Sequence, residues 1–266
     1  MSEPYWIKRN EELQEEIMKK TDKQIEEQTK KYYRSSMKRL LDDFEATYDK
    51  LMATIEKGKE PTPADLYKLD KYWKMQGQVK NELQKLGDKQ YVLMSKEFEK
   101  QWIETYKALA IKDDLYFGKI DNQVVKQMIS RIWCADGRHW SQRIWTNMNL
   151  LQQTLNDKLI ECVATGKKTT ELRKLLQERF AVSYSRADTI IRTETAHIQT
   201  QAAAQRYKDY GIEKYMILGN ENDSCGSHKV NCSDMDRKEF FFSEMQIGVN
   251  APPFHPNCKC TFKPVV

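Results

Sequence analysis

The chain lacks any long apolar run. Of its 266 residues only 39% are hydrophobic, and no stretch reaches the roughly 18 apolar residues that a membrane-spanning helix needs. The first ten residues contain no apolar core behind a positive flank, so they do not predict a secretion signal. We therefore expect a soluble cytoplasmic protein that does not engage membranes. Because 31% of the residues are charged, we also expect less buried core than in a compact enzyme of this length.

A strong excess of one charge is missing as well. Lys and Arg together number 44 and Asp and Glu 39, for a net charge of +5 and a pI near 8.7. This mildly basic balance suits a nucleic-acid-rich setting. Without a dense basic stripe or a recognition helix, it is too weak to predict an autonomous DNA-binding module.

Glycine and proline are absent between Lys8 and Gly58, where Glu, Lys and Gln abound. This composition predicts a long helical arm over about residues 8–57, either one helix or two stacked ones. The first half of the arm has few apolar residues, so it either docks on a partner or stays solvated through ion pairs four residues apart, and we expect the rest to fold without it. The second half carries an apolar stripe at helical spacing: Met37, Leu40, Leu41, Phe44, Tyr48, Leu51, Met52 and Ile55.

Turn and capping signals divide the middle of the chain into shorter helices. Helices are predicted to start at Thr62-Pro63, near Lys89, at Trp140 and at Thr169 or Thr170, with breaks at Gly58, Gly87, Gly118, Asp136-Gly137 and Gly166. A last helix is predicted over 183–211. The tryptophans at 133, 140 and 145 favour core packing over a stacking platform for bases.

Beyond Gly211 the pattern changes to short apolar runs separated by Gly, Asn, Asp and Pro. The runs 214–218, 239–242 and 260–266 predict short strands. The predicted fold class is mainly α, with an elongated helical N-terminal region over 1–182 and a small α+β, Cys/His-rich C-terminal subdomain over 183–266.

Glu194 interrupts the apolar face of the helix predicted over 183–211. At about 100° per residue it points the same way as Ile191 and Ile198. A carboxylate buried there needs a hydrogen-bond donor or a cation, which Arg186, Arg192 or the following Cys/His segment could supply. We interpret Glu194 and Arg192 as structural buried polar residues; a catalytic general base is the alternative.

Four of the six cysteines gather near the C-terminus among two histidines, whereas Cys134 and Cys162 stand alone in apolar stretches and look like core residues. Thiolate and imidazole together are the ligand set of tetrahedral zinc, and a reducing compartment favours metal over disulfides. Short strands bury little apolar surface, so a metal cross-link over 225–260 is physically reasonable. The predicted ligands of one structural zinc are four of Cys225, Cys232, His255, Cys258 and Cys260, with His228 as a substitute.

The C-terminal motifs follow a recognisable order. They are Arg192-Thr193-Glu194, Tyr207-Lys208, Cys225, Cys232, Met235-Asp236, Phe240 and the closing Pro252-Pro253-Phe254-His255-Pro256-Asn257-Cys258-Lys259-Cys260. This order resembles the C-terminal module of the phage Mu F-like minor head proteins, which are typically encoded next to the portal protein. That family joins an Arg-Thr-Glu helix to a Cys-x-x-Cys, a Leu-Asp-Gly and a closing Pro-Pro-x-His-Pro-Asn-Cys-Arg-Cys.

Two departures from the family pattern concern the cysteine loop. Cys232 stands before Met235-Asp236 at the spacing of the second family cysteine, so Cys225 would be the first, with extra residues between them that include His228. Arg237 replaces the family's glycine after the aspartate, which predicts a different turn.

The resemblance implies a low-copy component of the phage head that is not an enzyme. Its expected partners are the portal protein, packaged DNA, and a scaffold or major capsid protein. It would be present in the host cytoplasm during assembly and in the virion afterwards, where it would aid head morphogenesis and DNA packaging or delivery. The alternative is a zinc-dependent hydrolase or deaminase acting on nucleic acid, although the closing motif lacks the His-x-Glu and Cys-x-x-Cys of nucleobase deaminases.

Overall fold

Helices make up most of the chain. The computed structural model describes residues 5–53, 70–109, 120–134, 136–219 and 232–266. Within these ranges the helices are α1 (Tyr5–Met52), α2 (Asp70–Ala108), α3 (Asn122–Ile129), α4 (Trp140–Ala164), α5 (Thr169–Asp209) and the single turn α6 (Cys232–Met235). The strands are β1 (Lys214–Leu218), β2 (Glu239–Phe241) and β3 (Thr261–Val265), and a 3₁₀ turn covers Phe242–Glu244. The predicted mainly α class with a small C-terminal sheet is confirmed.

Several predicted features lie outside the described residues: Gly58, Thr62-Pro63, Gly118, Cys225 and His228. Among the helices that the structure describes, none is both long and apolar enough to cross a membrane.

The chain forms two compact units, each built from separated segments. The first unit comprises Met1–Glu26, Leu93–Trp140 and Thr189–Val266, and the second comprises Glu27–Val92 and Ser141–Asp188. The division predicted between residues 182 and 183 stays a prediction, and that boundary falls within α5.

Helix α1 is continuous, as one of the two predicted arrangements required. The sequence left open whether its first half docks on a partner or stays solvated, and in the structure this half buries side chains against the rest of its own chain. Ile7 and Ile25 are buried there, and polar side chains occupy the positions between them. Gln14 donates from Nε2 to the Tyr207 hydroxyl at 3.3 Å. The buried stripe escaped sequence interpretation because three of its members are polar: Asn10, Gln14 and Thr21.

Helix α2 runs through Gly87, where a break was predicted. A Cβ added at Gly87 would lie 2.5 Å from Cζ3 of Trp145. Because glycine has no side chain, the indole of Trp145 can pack directly against the helix backbone at this position, and the helix continues through it. The predicted core role of the tryptophans is confirmed for Trp140, which is buried and donates from Nε1 to the carbonyl of Ile129 at 3.2 Å.

Helix α5 replaces two predicted helices, a short one from Thr169 or Thr170 and a longer one over 183–211. No glycine or proline lies between Lys167 and Tyr210, so nothing in the backbone interrupts the ladder. The carboxylate of Glu171 accepts the backbone N–H of Lys168 at 2.9 Å at the start of the helix. At its end Gly211 takes a φ of +75°, the left-handed conformation that commonly closes a helix.

The three predicted strands form one antiparallel sheet in the order β2-β1-β3. Tyr215 of β1 pairs with Phe240 of β2 and with Pro264 of β3. One face packs on the end of α5 through an aromatic core. The buried aromatic members of this core are Tyr207, Tyr215, Phe242 and Phe262. This packing fixes the C-terminal segment against the helix that carries the Arg-Thr-Glu triplet.

Candidate metal centre

One imidazole and two thiols converge between α6 and the loop that precedes β3. Cys232 Sγ lies 3.0 Å from His255 Nε2 and 3.8 Å from Cys258 Sγ. The three ligand atoms all lie within 4.8 Å of one another, with both cysteines buried and His255 half-buried. Three of the five predicted ligands therefore meet at one point.

The backbone around Cys232 is held by a close approach at Gly219. A Cβ at this position would lie 2.8 Å from Cβ of Asp236 and 2.9 Å from the carbonyl oxygen of Cys232. The Gly219 N–H donates to Asp236 Oδ1 at 2.7 Å. Glycine is thus required at the end of β1 so that the strand can meet the turn that bears Cys232.

Arg237 adopts a φ of +58°, a left-handed conformation that glycine takes without strain. The predicted difference of this turn from the family pattern stays a prediction. Its N–H donates to the carbonyl of Ile217 at 2.9 Å, which joins the turn to β1.

A second turn presents His255 and Cys258 from the same side. The Cys258 N–H donates to the carbonyl of His255 at 3.2 Å, and Asn257 between them has a φ of +58°. The Asn257 N–H donates to Thr193 Oγ1 at 3.0 Å. Thr193 is the middle residue of the Arg-Thr-Glu triplet, so the two most distinctive sequence motifs are in direct contact.

The electrostatics of the cluster favour a thiolate. A hydrogen bond from the Cys260 thiol, opposed by burial and aided by backbone N–H groups and His255, lowers the pKa of Cys258 to about 5. His255 Nδ1 lies 2.8 Å from the carbonyl oxygen of Pro256. A proton on Nδ1 satisfies that carbonyl and leaves the Nε2 lone pair directed at the cysteines, the tautomer that a metal-bound imidazole needs.

The donor set fits a thiophilic divalent ion. Ligand atoms at the corners of a tetrahedron around zinc lie about 3.5–3.8 Å apart, given Zn–S near 2.3 Å and Zn–N near 2.0 Å. The separation of Cys232 and Cys258 matches this spacing. Cys260 is buried in the same cluster beside Phe254, and Cys225 is outside the described residues. Of the part of the chain that the structure describes, only the Cys232, His255 and Cys258 group could hold a metal.

The remaining triplet residues tie α5 to other parts of the first unit. Glu194 is 2% exposed, as predicted, and its Oε2 accepts the indole N–H of Trp133 at 2.9 Å. Arg192 is not the buried residue that was predicted: it is exposed and pairs with Glu26 at 3.2 Å. Arg186 is exposed as well.

Sequence interpretation missed His197 and the role of Trp133. The two rings stack with centroids 4.5 Å apart and an interplanar angle of 12°. His197 is 1% exposed, and neither of its ring nitrogens has a hydrogen-bond partner among the described residues. Burial lowers the pKa of His197 to about 3. The signal was present in the sequence, because His197 follows Glu194 by three residues and so shares its helix face.

These features describe a helical protein whose small C-terminal sheet packs on a long helix through an aromatic core and carries a Cys/His cluster. Residues 153–263 match the family model described as Phage Mu protein F like protein, so this segment of the chain is similar to that family. This similarity indicates a phage head-related protein. No curated protein and no solved structure matches the chain.

Proposed function

We propose that the protein is a minor capsid protein, a low-copy structural component that associates with the portal inside the phage head. There it would aid head morphogenesis and DNA packaging or delivery, in contact with packaged DNA and with a scaffold or major capsid protein. The observation that carries the proposal is the contact between Asn257 and Thr193. It joins the Arg-Thr-Glu triplet to the closing Cys/His motif within the segment that matches the family model.

A structural role also fits the environment of the cluster. Cys232 and Cys258 are buried, and the cluster packs beside Phe254 and Cys260. A catalytic metal keeps an open coordination position and a nearby general base, whereas a structural metal is closed by protein ligands. Buried ligands supplied by two turns of a small sheet favour the structural alternative.

We further propose that the bound metal is zinc. Cys232, His255 and Cys258 would supply three ligands, and Cys260 or Cys225 the fourth. The zinc would cross-link α6 to the loop before β3, which a sheet of this size needs because it buries little apolar surface of its own.

Elemental analysis of protein purified without chelator tests the zinc proposal. We expect one equivalent of zinc per chain, lost in Cys232→Ser and in Cys258→Ser. Cys134→Ser serves as the control and should keep the metal. Comparing Cys260→Ser with Cys225→Ser identifies the fourth ligand. Metal-free wild-type protein, or zinc that survives both Cys232→Ser and Cys258→Ser, would contradict the proposal.

Quantitative mass spectrometry of purified phage particles tests the role in the virion. We expect the protein in heads at a few copies per portal, and co-purification of portal with the tagged protein from infected cells. Particles made without the protein should show defects in head assembly or in DNA delivery. Absence of the protein from purified heads would refute the structural role whether or not zinc is bound.

A further inference from the structure

An apolar groove of about 310 Å³ lies within the second unit, between α1 and α5. Helix α1 contributes Lys30, Tyr33, Arg34 and Met37, which recur at three- and four-residue spacing. Helix α5 contributes Phe180 and Tyr184 at the same spacing. The groove therefore runs along two neighbouring helices, and its volume is at the lower end of the range typical of ligand and peptide sites.

The bottom of the groove is aromatic and rigid. Tyr33 and Phe180 are buried, and their rings meet edge to face at 82° with centroids 6.4 Å apart. Tyr33 also meets Tyr184 at 72° and 5.6 Å. The Tyr33 hydroxyl lies 3.4 Å from Ser183 Oγ and accepts from Asn147 Nδ2 at 3.0 Å. Since Tyr33 is fixed through both its ring and its hydroxyl, the groove is preformed.

The surroundings of the groove are strongly basic. Residues 28–41 of α1 hold five basic residues and no acidic one, and residues 172–187 of α5 hold four basic residues and one acidic one. Arg39 pairs with Glu82 and Arg173 with Glu45. Lys30 and Arg34 line the groove itself, are exposed, and form no ion pair with any described residue. The apolar floor is thus bordered by two cations that no described residue pairs with as a counter-charge.

Basic residues beside aromatic rings can also mark a nucleic-acid surface, but the geometry here disfavours stacking of bases. A base needs an accessible ring face, whereas Tyr33 and Phe180 are buried and engage each other edge to face. A base edge also needs hydrogen-bond partners, and the walls of the groove are almost wholly apolar. Aliphatic or aromatic side chains of a protein segment, with acidic residues on either side, match both the floor and the border.

We propose that this groove is a docking site for an acidic amphipathic helix of a partner protein, whose apolar side chains fill the groove while its carboxylates pair with Lys30 and Arg34. The groove and the Cys/His cluster have no residue in common. The proposal does not depend on zinc or on the role in the head.

Fluorescence anisotropy with a labelled peptide of about 18 residues, roughly five helical turns, tests this directly. The peptide carries leucine on one face and glutamate on the other. The full-length protein should bind it saturably, with an affinity that falls as salt is raised. Peptides with lysine in place of glutamate, or serine in place of leucine, should bind at least about tenfold more weakly.

Matched variants locate the binding. Lys30→Glu combined with Arg34→Glu should weaken binding by about tenfold or more, because two attractions become repulsions. Lys74→Glu combined with Lys80→Glu changes two exposed residues of α2 in the same unit and should leave binding within about twofold. Ala181→Trp adds bulk to an exposed position that lines the groove and should also weaken binding while the melting temperature holds.

Two outcomes would overturn the proposal. One is peptide binding that neither the Lys30/Arg34 reversal nor Ala181→Trp weakens. The other is an oligothymidylate that binds in a Lys30- and Arg34-dependent way while the acidic peptide does not, which would assign the surface to single-stranded nucleic acid. Comparable melting temperatures of all variants ensure that a loss of binding reports on the groove.

Discussion

At position 194 a carboxylate lies where α5 buries its apolar side chains, and its Oε2 accepts the indole N–H of Trp133. Replacing Glu194 with glutamine keeps the shape of the side chain and an oxygen that accepts from Trp133, but it removes the negative charge of the buried carboxylate. We expect Glu194→Gln to lower the free energy of unfolding by about 1–3 kcal/mol. Urea unfolding measures this. Glu178→Gln, an exposed position on the same helix, is the control and should change it by less than about 0.5 kcal/mol. An unchanged midpoint for Glu194→Gln would mean that the carboxylate is not a structural requirement.

We expect His197 to make the stability of the protein sensitive to mild acid. In the unfolded chain an imidazole takes up a proton below pH ~6.5, whereas burial lowers the pKa of His197 in the folded protein to about 3. Stability from the neutral ring is therefore complete above pH ~6.5 and is lost as the pH falls towards 3. Between pH 7 and pH 5 this loss amounts to about 2 kcal/mol.

His197→Phe isolates that contribution, because phenylalanine keeps a ring against Trp133 and cannot be protonated. Between pH 7 and pH 5 we expect the free energy of unfolding to fall by about 2 kcal/mol more in the wild-type protein than in the variant. Burial also lowers the pKa of His139, but that contribution is common to both proteins and cancels. Parallel losses of stability in the two proteins would show that His197 is accessible to protons in the folded state.

How far single residues could be predicted depended on whether their partners were close in sequence. The face of Glu194 follows from helix periodicity, and the convergence of Cys232, His255 and Cys258 follows from ligand chemistry. The partner of Glu194 does not follow from the sequence, because Trp133 lies 61 residues away in a segment without periodicity. Arg192 was expected to be buried with Glu194, but a residue two positions away lies about 200° around a helix and so on the opposite side.

At the scale of a helix, α2 offers a matched pair of glycines. Gly77 has nothing within 4 Å of an added Cβ, whereas Gly87 has Trp145 at 2.5 Å. Gly77→Ala should stabilise the protein by up to about 1 kcal/mol through helix propensity. Gly87→Ala should forfeit that gain and destabilise the protein by about 1–3 kcal/mol, because the indole must move. Thermal unfolding of the two variants checks this, and equal shifts would contradict the close packing of Trp145.

The elements themselves were predicted well where composition decides and poorly where packing decides. Helix α1, the core role of Trp140 and the three strands follow from periodicity and from the placement of Gly and Pro. Gly87 was taken as a break because sequence does not show the indole that requires it. The buried stripe of α1 was missed at Asn10 and Gln14 because burial of a polar side chain depends on a partner such as Tyr207, supplied from the far end of the chain.

For the whole molecule, the packing of the N-terminal segment reverses an expectation. Sequence alone suggested that a form starting near Met37 would fold, but residues up to Glu26 are part of the first unit. Deleting them should unfold or strongly destabilise that unit. Ile25 is fully buried, so Ile25→Ala should lower the free energy of unfolding by about 2–5 kcal/mol. Lys23→Ala, at an exposed position two residues earlier, is the control and should change the free energy of unfolding little.

Hydrogen exchange provides the measurement. Amides from Ile7 to Glu26 should exchange as slowly as those of α5 in the isolated wild-type protein, and faster in Ile25→Ala. A deletion variant that retains slow exchange in α5 and in the sheet would show that the segment is dispensable.

The interleaving of the two units along the chain sets an order on the ribosome. The second unit draws its segments from Glu27 to Asp188, so its full sequence emerges first, even though the chain begins with a segment of the other unit. Met1–Glu26 cannot bury its partly polar stripe until Thr189–Val266 has been synthesised. At typical rates of about 5–20 residues per second, this takes seconds. During that interval the nascent chain presents an unfinished surface to chaperones and to other nascent chains. We expect synthesis halted after Asp188 to yield a folded second unit carrying a protease-sensitive N-terminal tail.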